Sequence, residues 1–568
     1  MCGFIGQIAK VEIGENELLR GLPWLRRRGP DSHKLWFSDD RRIGLLHARL
    51  AIVDKDSRAH QPLSNTEAKV TVAFIGEIYN YLEIKAQFTH YRFLTDSDTE
   101  VILVAYVTHG VAALSLLKGM FSLVIVDEKQ KRVILARDPI GKKPLFLASW
   151  GENVLFGTSL LPLVAVSKNH TQLNTDVLDF FWQNAYIPPQ TTALSGAIPV
   201  LPGQVLEFDW SGNLLRKTTC DPEPLQVYEG EPLDEVIKNI HSLLKLAVRR
   251  RLSNNPKPIA LLSGGIDSTI ISFIAKTLCE QTDSRPPFQT LTLASLIPLM
   301  NDEFYARYAA HRIRTRIQLV KPSIGFRKIG NLIIQALDLQ DEPLGMPSFF
   351  LLERLVKAAS DYGRILLSGD GGDEVFLGYG KPADWYDGKG GDEENEGQVP
   401  YGPKIPYWMS PWARMMVTDS LVGHMLTKAD RASAEQGVEL RCPLLDWDLV
   451  SYARSIPFEI LVNGGRTKAL LKEQFKDWPR WFLERPKVGF AYNLRWLWGL
   501  SRYAGLREVI DYRAIDTFES YFPRALRQKP ANWESKDIFC NFNEAWLLLA
   551  WSRFLERLDF AHKIGLAS

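Results

Sequence analysis

Between residues 258 and 279 the chain leaves itself few folds to choose from. Pro258–Leu262 is an apolar run of strand length, Ser263-Gly264-Gly265 is a turn, and from Ser268 to Cys279 apolar residues recur at helical spacing. A strand that turns into a helix in this way presents free backbone N–H groups at the helix N-terminus, where the dipole favours negative charge. The glycines let those groups approach an anion closely, and Ser263 and Ser268 add hydroxyl donors. The stretch is an anion cradle. It is not the Gly-x-x-x-x-Gly-Lys type, because no lysine follows the glycines.

The chain around the cradle repeats its alternation. Strand-length runs at Phe288–Ala294, Arg316–Val320 and Arg364–Leu367 alternate with helical patterns at Glu235–Leu252, Asp302–Ile313, Ile324–Leu337 and Ser348–Ser360. Strands alternating with amphipathic helices predict a parallel, doubly wound sheet, whose ligands gather outside the carboxyl ends of its strands. A second chemical motif falls at such an end. In Ser368-Gly369-Asp370-Gly371-Gly372-Asp373-Glu374 glycines alternate with carboxylates, which suits close backbone approach combined with metal binding. Magnesium takes oxygen ligands and needs only one or two carboxylates beside phosphate oxygens; Asp267 and Asp373 are the candidates. Together SGGIDS and SGDGGDE resemble the pyrophosphate-binding loops of the ATP pyrophosphatases, enzymes that split ATP into AMP and pyrophosphate.

A chain of 568 residues exceeds one ordinary domain. Turn residues and the acidic, proline-bearing stretches Asp221–Pro224 and Glu229–Pro232 have linker composition. The expected division is 1–210, a linker at 211–232, and 233–568. The first part begins Met1-Cys2-Gly3. Were Met1 removed, Cys2 would carry its own α-amino group, with an unperturbed pKa of about 7.7–8.0, as a general base beside the thiol.

The segments that follow are Arg28-Gly29-Pro30-Asp31, His47–Asp54, Gln61-Pro62-Leu63, Gly76-Glu77-Ile78-Tyr79-Asn80, Asp96–Glu100, Gly119–Ser122 and Ala136–Leu145. In this order they resemble the glutamine amidotransferase domain of the N-terminal-nucleophile hydrolases. Further on, Lys428–Ser433, Val438–Asp446, Gly465–Lys472 and Arg485–Phe490 are similar to the synthetase half of the glutamine-hydrolysing asparagine synthetases. The resemblance runs from residue 1 to about 500. It implies a four-layer αββα sandwich followed by the doubly wound domain.

The resemblance also implies a division of labour. Cys2 attacks the glutamine amide, with Gly76 donating to the oxyanion. Arg49, Leu50, Ile52, Val53, Ile75, Gly76, Glu77 and Asp98 hold glutamine, Arg49 on its carboxylate and Asp98 on its ammonium. Leu261, Ser263, Gly264, Gly265, Asp267, Ser268, Leu293, Ser368 and Gly369 hold ATP. Asp267 and Asp373 hold Mg²⁺, Asp370 acts at the acyl-adenylate, and Lys468 contacts the phosphates. Its small-molecule partners would be glutamine or ammonia, a carboxylate such as aspartate, and ATP; a homodimer is left open. Asp370 stands where the family often has Glu, and Arg27 where it usually has His.

One departure bears on chemistry. The family has Asn before Gly-Glu, donating to the oxyanion, and this chain has Ile75. Loss of such a donor costs about 10²–10³ in rate. A weak glutaminase, a lost one that leaves the synthetase to free ammonia, and a substitute donor all remain open. So do another acceptor carboxylate (a sugar acid, a cell-wall or natural-product precursor) and a catalytically inert binding or regulatory homologue.

Composition excludes other classes. A net charge of +2, with only short clusters at Arg26–Arg28 and Arg249–Arg251, argues against nucleic acid. Five scattered cysteines without a Cys-x-x-Cys pair argue against a disulfide framework or zinc ribbon and fit a reducing cytoplasm. No uninterrupted apolar run has the length of a membrane span. Trp385–Tyr401, rich in glycine and acid, reads as a loop, either a lid or a solvated insertion, and Phe539–Leu558 as a helix without assignable chemistry.

Overall fold

The computed structural model describes residues 2–54, 56–167, 171–252, 259–281, 288–294, 302–321, 329–378, 415–463, 465–485, 512–518 and 542–566. Strands in chain order are β1 (Gly3–Ile8), β2 (Ser32–Phe37), β3 (Ile43–Arg49), β4 (Leu63–Asn65), β5 (Val70–Ile78), β6 (Gly119–Asp127), β7 (Arg132–Arg137), β8 (Phe146–Trp150), β9 (Asn153–Gly157), β10 (Ala197–Pro199), β11 (Gln204–Asp209) and β12 (Leu214–Thr219). They form two antiparallel sheets, ordered β10-β8-β9-β1-β3-β2 and β12-β11-β7-β6-β5-β4. β1, β3, β5 and β6 alternate apolar residues on two buried faces, so each sheet has a second apolar side to cover.

Phe4, Ile43, Leu45, Ile75, Val124 and Leu135 fill the space between the sheets. Helices Leu22–Arg28 and Leu160–Val166 cover the outer face of the first sheet, and helix Asp98–His109 that of the second. The result is the four-layer αββα sandwich. Asp98–Leu116 has the length and hydropathy of a membrane span, but it is the outer layer on β5, with more than half of its most apolar stretch buried.

The second sheet-bearing half contains β13 (Ile259–Leu261), β14 (Gln289–Leu293), β15 (Arg316–Val320), β16 (Ile365–Leu367) and β17 (Glu439–Arg441). Their order is β15-β14-β13-β16-β17, and every pairing is parallel. Helices Leu233–Leu252, Ile266–Glu280 and Asp302–Ile313 pack on one another and on the sheet through Ile240, Leu244, Ile270, Ile274 and Ala309.

Two boundaries differ from expectation. The first domain runs on to Thr219, because β12 pairs with β11 as an edge strand. Its side chains are almost all exposed, so it lacks the alternation that marks a strand, and 211–232 reads as a linker. The C-terminal helix is Phe542–Leu566, and it packs Trp546, Leu548 and Trp551 into the same core as Leu160–Val166 of the first domain. The stretches 385–401 and 486–490 lie outside the described residues.

Candidate active sites

β1 and β3 are neighbours in register, Gly3 opposite Ala48, which sets Cys2 beside the residues that follow β3. The Leu50 N–H donates to Cys2 Sγ (3.2 Å), and Arg28 Nε holds the Cys2 carbonyl (3.2 Å). One cavity gathers Cys2, Arg49, Leu50, Ile52, Val53, Gly76, Glu77 and Asp98. Ile75 is absent from that lining: its side chain, 0% exposed, lies in the layer between the sheets, against which Cys2 also packs. Gly76 has φ of +123°, and a Cβ there would stand 1.8 Å from the Met120 carbonyl, so no other residue fits.

Asp98 opens its helix behind the Ser97 cap and accepts the Ile78 N–H (3.1 Å). Burial pushes its carboxyl up to about 7. Burial likewise raises Glu77 well above the usual carboxylate range, against the pull of Arg441, and it raises the Cys2 thiol. His47, whose Nε2 lies 3.1 Å from the Phe74 carbonyl, is driven by burial down to about 3 and stays neutral.

The second site lies at the carboxyl ends of β13 and β16. Gly264 has φ of +74°, and a Cβ there would meet the Ala306 nitrogen at 2.4 Å, which makes the first turn glycine obligatory. Ser263 N–H donates to Ser268 Oγ (3.1 Å) and Gly265 N–H to Ser263 Oγ (3.3 Å), closing the cradle on itself. The two loops touch: a Cβ on Gly369 would lie 2.7 Å from Ser268 N, and one on Gly372 2.4 Å from Asp267 Cγ. Leu261 and Leu293 end their strands half-buried beside them. Ser368 Oγ accepts the Asp370 N–H at 3.2 Å.

Lys468 comes from far along the chain and enters between the two loops. Its Nζ lies 2.6 Å from Asp373 Oδ1 and also donates to Asp267 Oδ2. Burial alone would lower its pKa, but the two carboxylates outweigh that and hold it above lysine's usual value. Asp267 and Asp373 therefore converge within reach of one cation. Two hard oxygen donors beside an anion cradle are the donor set that suits Mg²⁺ shared with phosphate oxygens, so the residues fit the metal. Among the described residues no cluster of three metal-ligating side chains occurs.

Sequence reasoning missed what the second domain gives the first site. Glu439 of β17 lines the Cys2 cavity. Arg441, two residues on and 0% exposed, pairs with Glu77 (3.0 Å) and Glu439 (2.7 Å). Both lie in the Val438–Asp446 segment, but only domain docking, which local pattern does not encode, brings them to the thiol. Arg485 was also missed: it binds Asp302 (2.8 Å), reaches the Ser263 carbonyl (3.4 Å) and lies over the Tyr305 ring.

Comparison with known proteins adds to this geometry. The profile of a glutamine amidotransferase domain matches residues 1–218, and that of asparagine synthase matches residues 239–556. The chain is similar to asparagine synthetase [glutamine-hydrolyzing] 1 of Bacillus subtilis, 26% identical, with 88% of each chain covered. It is similar to asparagine synthetase [glutamine-hydrolyzing] of Gallus gallus, 26% identical, with 93% of each covered. It is also similar to the amidase chry2 of Gibberella zeae, 29% identical over 47% of this chain and 39% of that one.

Proposed function

The chain belongs to the asparagine synthase family, glutamine-hydrolysing and ATP-dependent ligases, and we propose that it amidates aspartate through an acyl-AMP. The observation that carries this reading is Lys468 held between Asp267 and Asp373 at the mouth of a glycine cradle. A substrate carboxylate oxygen attacks the α-phosphorus of ATP, and pyrophosphate leaves. The glycine cradle at the N-terminus of the helix Ile266–Glu280 and the Lys468 ammonium receive the charge that builds on the departing oxygens. Mg²⁺, held by Asp267 and Asp373 when bound, supplies further neutralisation of the phosphates. Ammonia then attacks the acyl carbon and AMP leaves, AMP being a far better leaving group than hydroxide.

The ammonia comes from glutamine at Cys2 or from solution. Cys2 Sγ attacks the side-chain amide to form a thioester, Arg49 holds the α-carboxylate, and Asp98, once ionised, holds the α-ammonium. Ile75 contributes no donor to the oxyanion, which leaves the Gly76 N–H and slows this half-reaction.

The test is pyrophosphate release with ATP, Mg²⁺ and aspartate, comparing glutamine with ammonium. Asparagine from either source supports the reading. Release that aspartate does not stimulate, but another carboxylate does, moves the acceptor; no ATP-dependent release with any carboxylate rejects it.

A further inference from the structure

Lys142 belongs to the first domain, yet its ammonium faces the second. It stands in the loop after β7, where the Asp138 carboxylate accepts the N–H groups of Ile140 (3.1 Å), Lys142 (2.9 Å) and Lys143 (3.0 Å) and fixes the loop. The side chain is 7% exposed. Its Nζ donates to Cys442 Sγ, and among the described residues no carboxylate forms an ion pair with it. Cys442 follows β17 directly and is 1% exposed. Its thiol donates onward to Asp370 Oδ2, 3.9 Å away. Ammonium, thiol and carboxylate form a row across the domain boundary, with each hydrogen donated in the same direction.

Fold stability does not account for this row. A thiol is a weak acceptor, so it answers a buried ammonium poorly, and an apolar pair would fill the same space without desolvating a charge. What the row does is act on Asp370. Burial raises the Cys442 thiol against the opposing pull of Lys142, which keeps the sulfur protonated and therefore a donor. Hydrogen bonds in series polarise one another, so the ammonium strengthens the thiol's grip on the carboxylate. On its other side the Asp370 backbone is tied to Ser368 Oγ.

We infer that Lys142 is a positioning residue for amide formation: through Cys442 it fixes the Asp370 carboxylate, so that docking of the first domain completes the second site. The inference rests on the functional reading above and on the role at the acyl-adenylate that the family resemblance gives Asp370. It makes a chemical demand on position 442, where the group must both accept and donate. Serine does both and valine does neither, while Arg in place of Lys142 keeps a cation.

The test is ammonium-dependent amide synthesis by Lys142→Met, Lys142→Arg, Cys442→Ser and Cys442→Val, which bypasses the thiol site. Lys142→Met and Cys442→Val are expected to lower kcat about tenfold or more, the scale of a misplaced reacting group, with KM for ATP unchanged. Lys142→Arg and Cys442→Ser are expected to restore most of kcat. A wild-type kcat in Lys142→Met, or equal damage from Ser and Val at 442, overturns the inference. A double-mutant cycle of Lys142→Met with Asp370→Asn, read on the denaturation midpoint, decides independently of turnover. Non-additive shifts support the link and additive ones remove it. Absence of turnover in the wild type would strike the functional reading, while the cycle still decides the link.

Discussion

By the family resemblance Ile75 stands where an oxyanion donor is expected, while the structure gives it the burial of a core residue, and the two demands oppose each other. Ile75→Asn is expected to raise glutamate release from glutamine about 10–100-fold, part of the 10²–10³ that one donor carries. It should also lower stability by about 1–3 kcal/mol, because an amide enters an apolar layer, and parallel glutaminase assays and thermal melts check both. Lys468→Ala leaves Asp267 and Asp373 facing each other without their cation; pyrophosphate release should fall at least about 10²-fold. Asp98 supplies the pH dependence. With its carboxyl pushed up to about 7, it is largely neutral below that pH and cannot pair with an α-ammonium. KM for glutamine should therefore fall as pH rises through about 7, and Asp98→Asn should abolish that dependence. The stability sign is opposite: the raised group favours the folded state most below the unfolded value of about 3.9, and that contribution is lost as pH rises towards 7.

At the scale of elements, the helix Thr427–Ala434 shows what joins the domains. Its Asp430 accepts Arg28 (2.9 Å) and Lys143 (3.3 Å) from the first domain, with every partner buried. Burial alone would raise the Asp430 carboxyl, but the two cations hold it down at about 2. Asp430→Ala strands both cations and should cost about 3–5 kcal/mol, measured by urea unfolding. The Asp430 contribution is present above the unfolded value of about 3.9 and disappears as pH falls from there towards 2. Elements with strong local signals were legible in the sequence: Asp302–Ile313 and Arg316–Val320 fall at the expected residues, because apolar residues at helical spacing announce the helix and the alternation of Ile317 and Leu319 with polar neighbours announces the strand. β12 was not, since an exposed edge strand carries no alternation. The two glycine loops were legible because close backbone approach demands glycine at Gly264 and Gly372. Their meeting with Lys468, some two hundred residues from Asp267, needed the resemblance, and the row from Lys142 to Asp370 left no local mark at all.

Across the whole molecule, β17 is a strand that serves both sites. Glu439 lines the Cys2 cavity, Arg441 grips Glu77, the Arg441 carbonyl accepts the Ser368 N–H (2.9 Å), and Cys442 touches Asp370. The side chains of Glu439 and Arg441 face the first site, while the Arg441 backbone and Cys442 face the second. Substituting the Arg441 side chain should therefore separate the two. In Arg441→Met, Glu77 and Glu439 lose their shared cation while almost wholly buried, and one of them must take up a proton or draw in water. The ladder hydrogen bond to Ser368 survives, because it belongs to the backbone. Glutamine-dependent turnover should fall at least about tenfold, whereas ammonium-dependent turnover should stay close to wild type. Adding Glu77→Gln to remove the stranded charge should recover stability without recovering glutamine use. If ammonium-dependent turnover fell in step with the glutamine-dependent rate, the arginine would be holding both sites rather than one, and β17 would act as a single rigid strut instead of a strand with two separable edges.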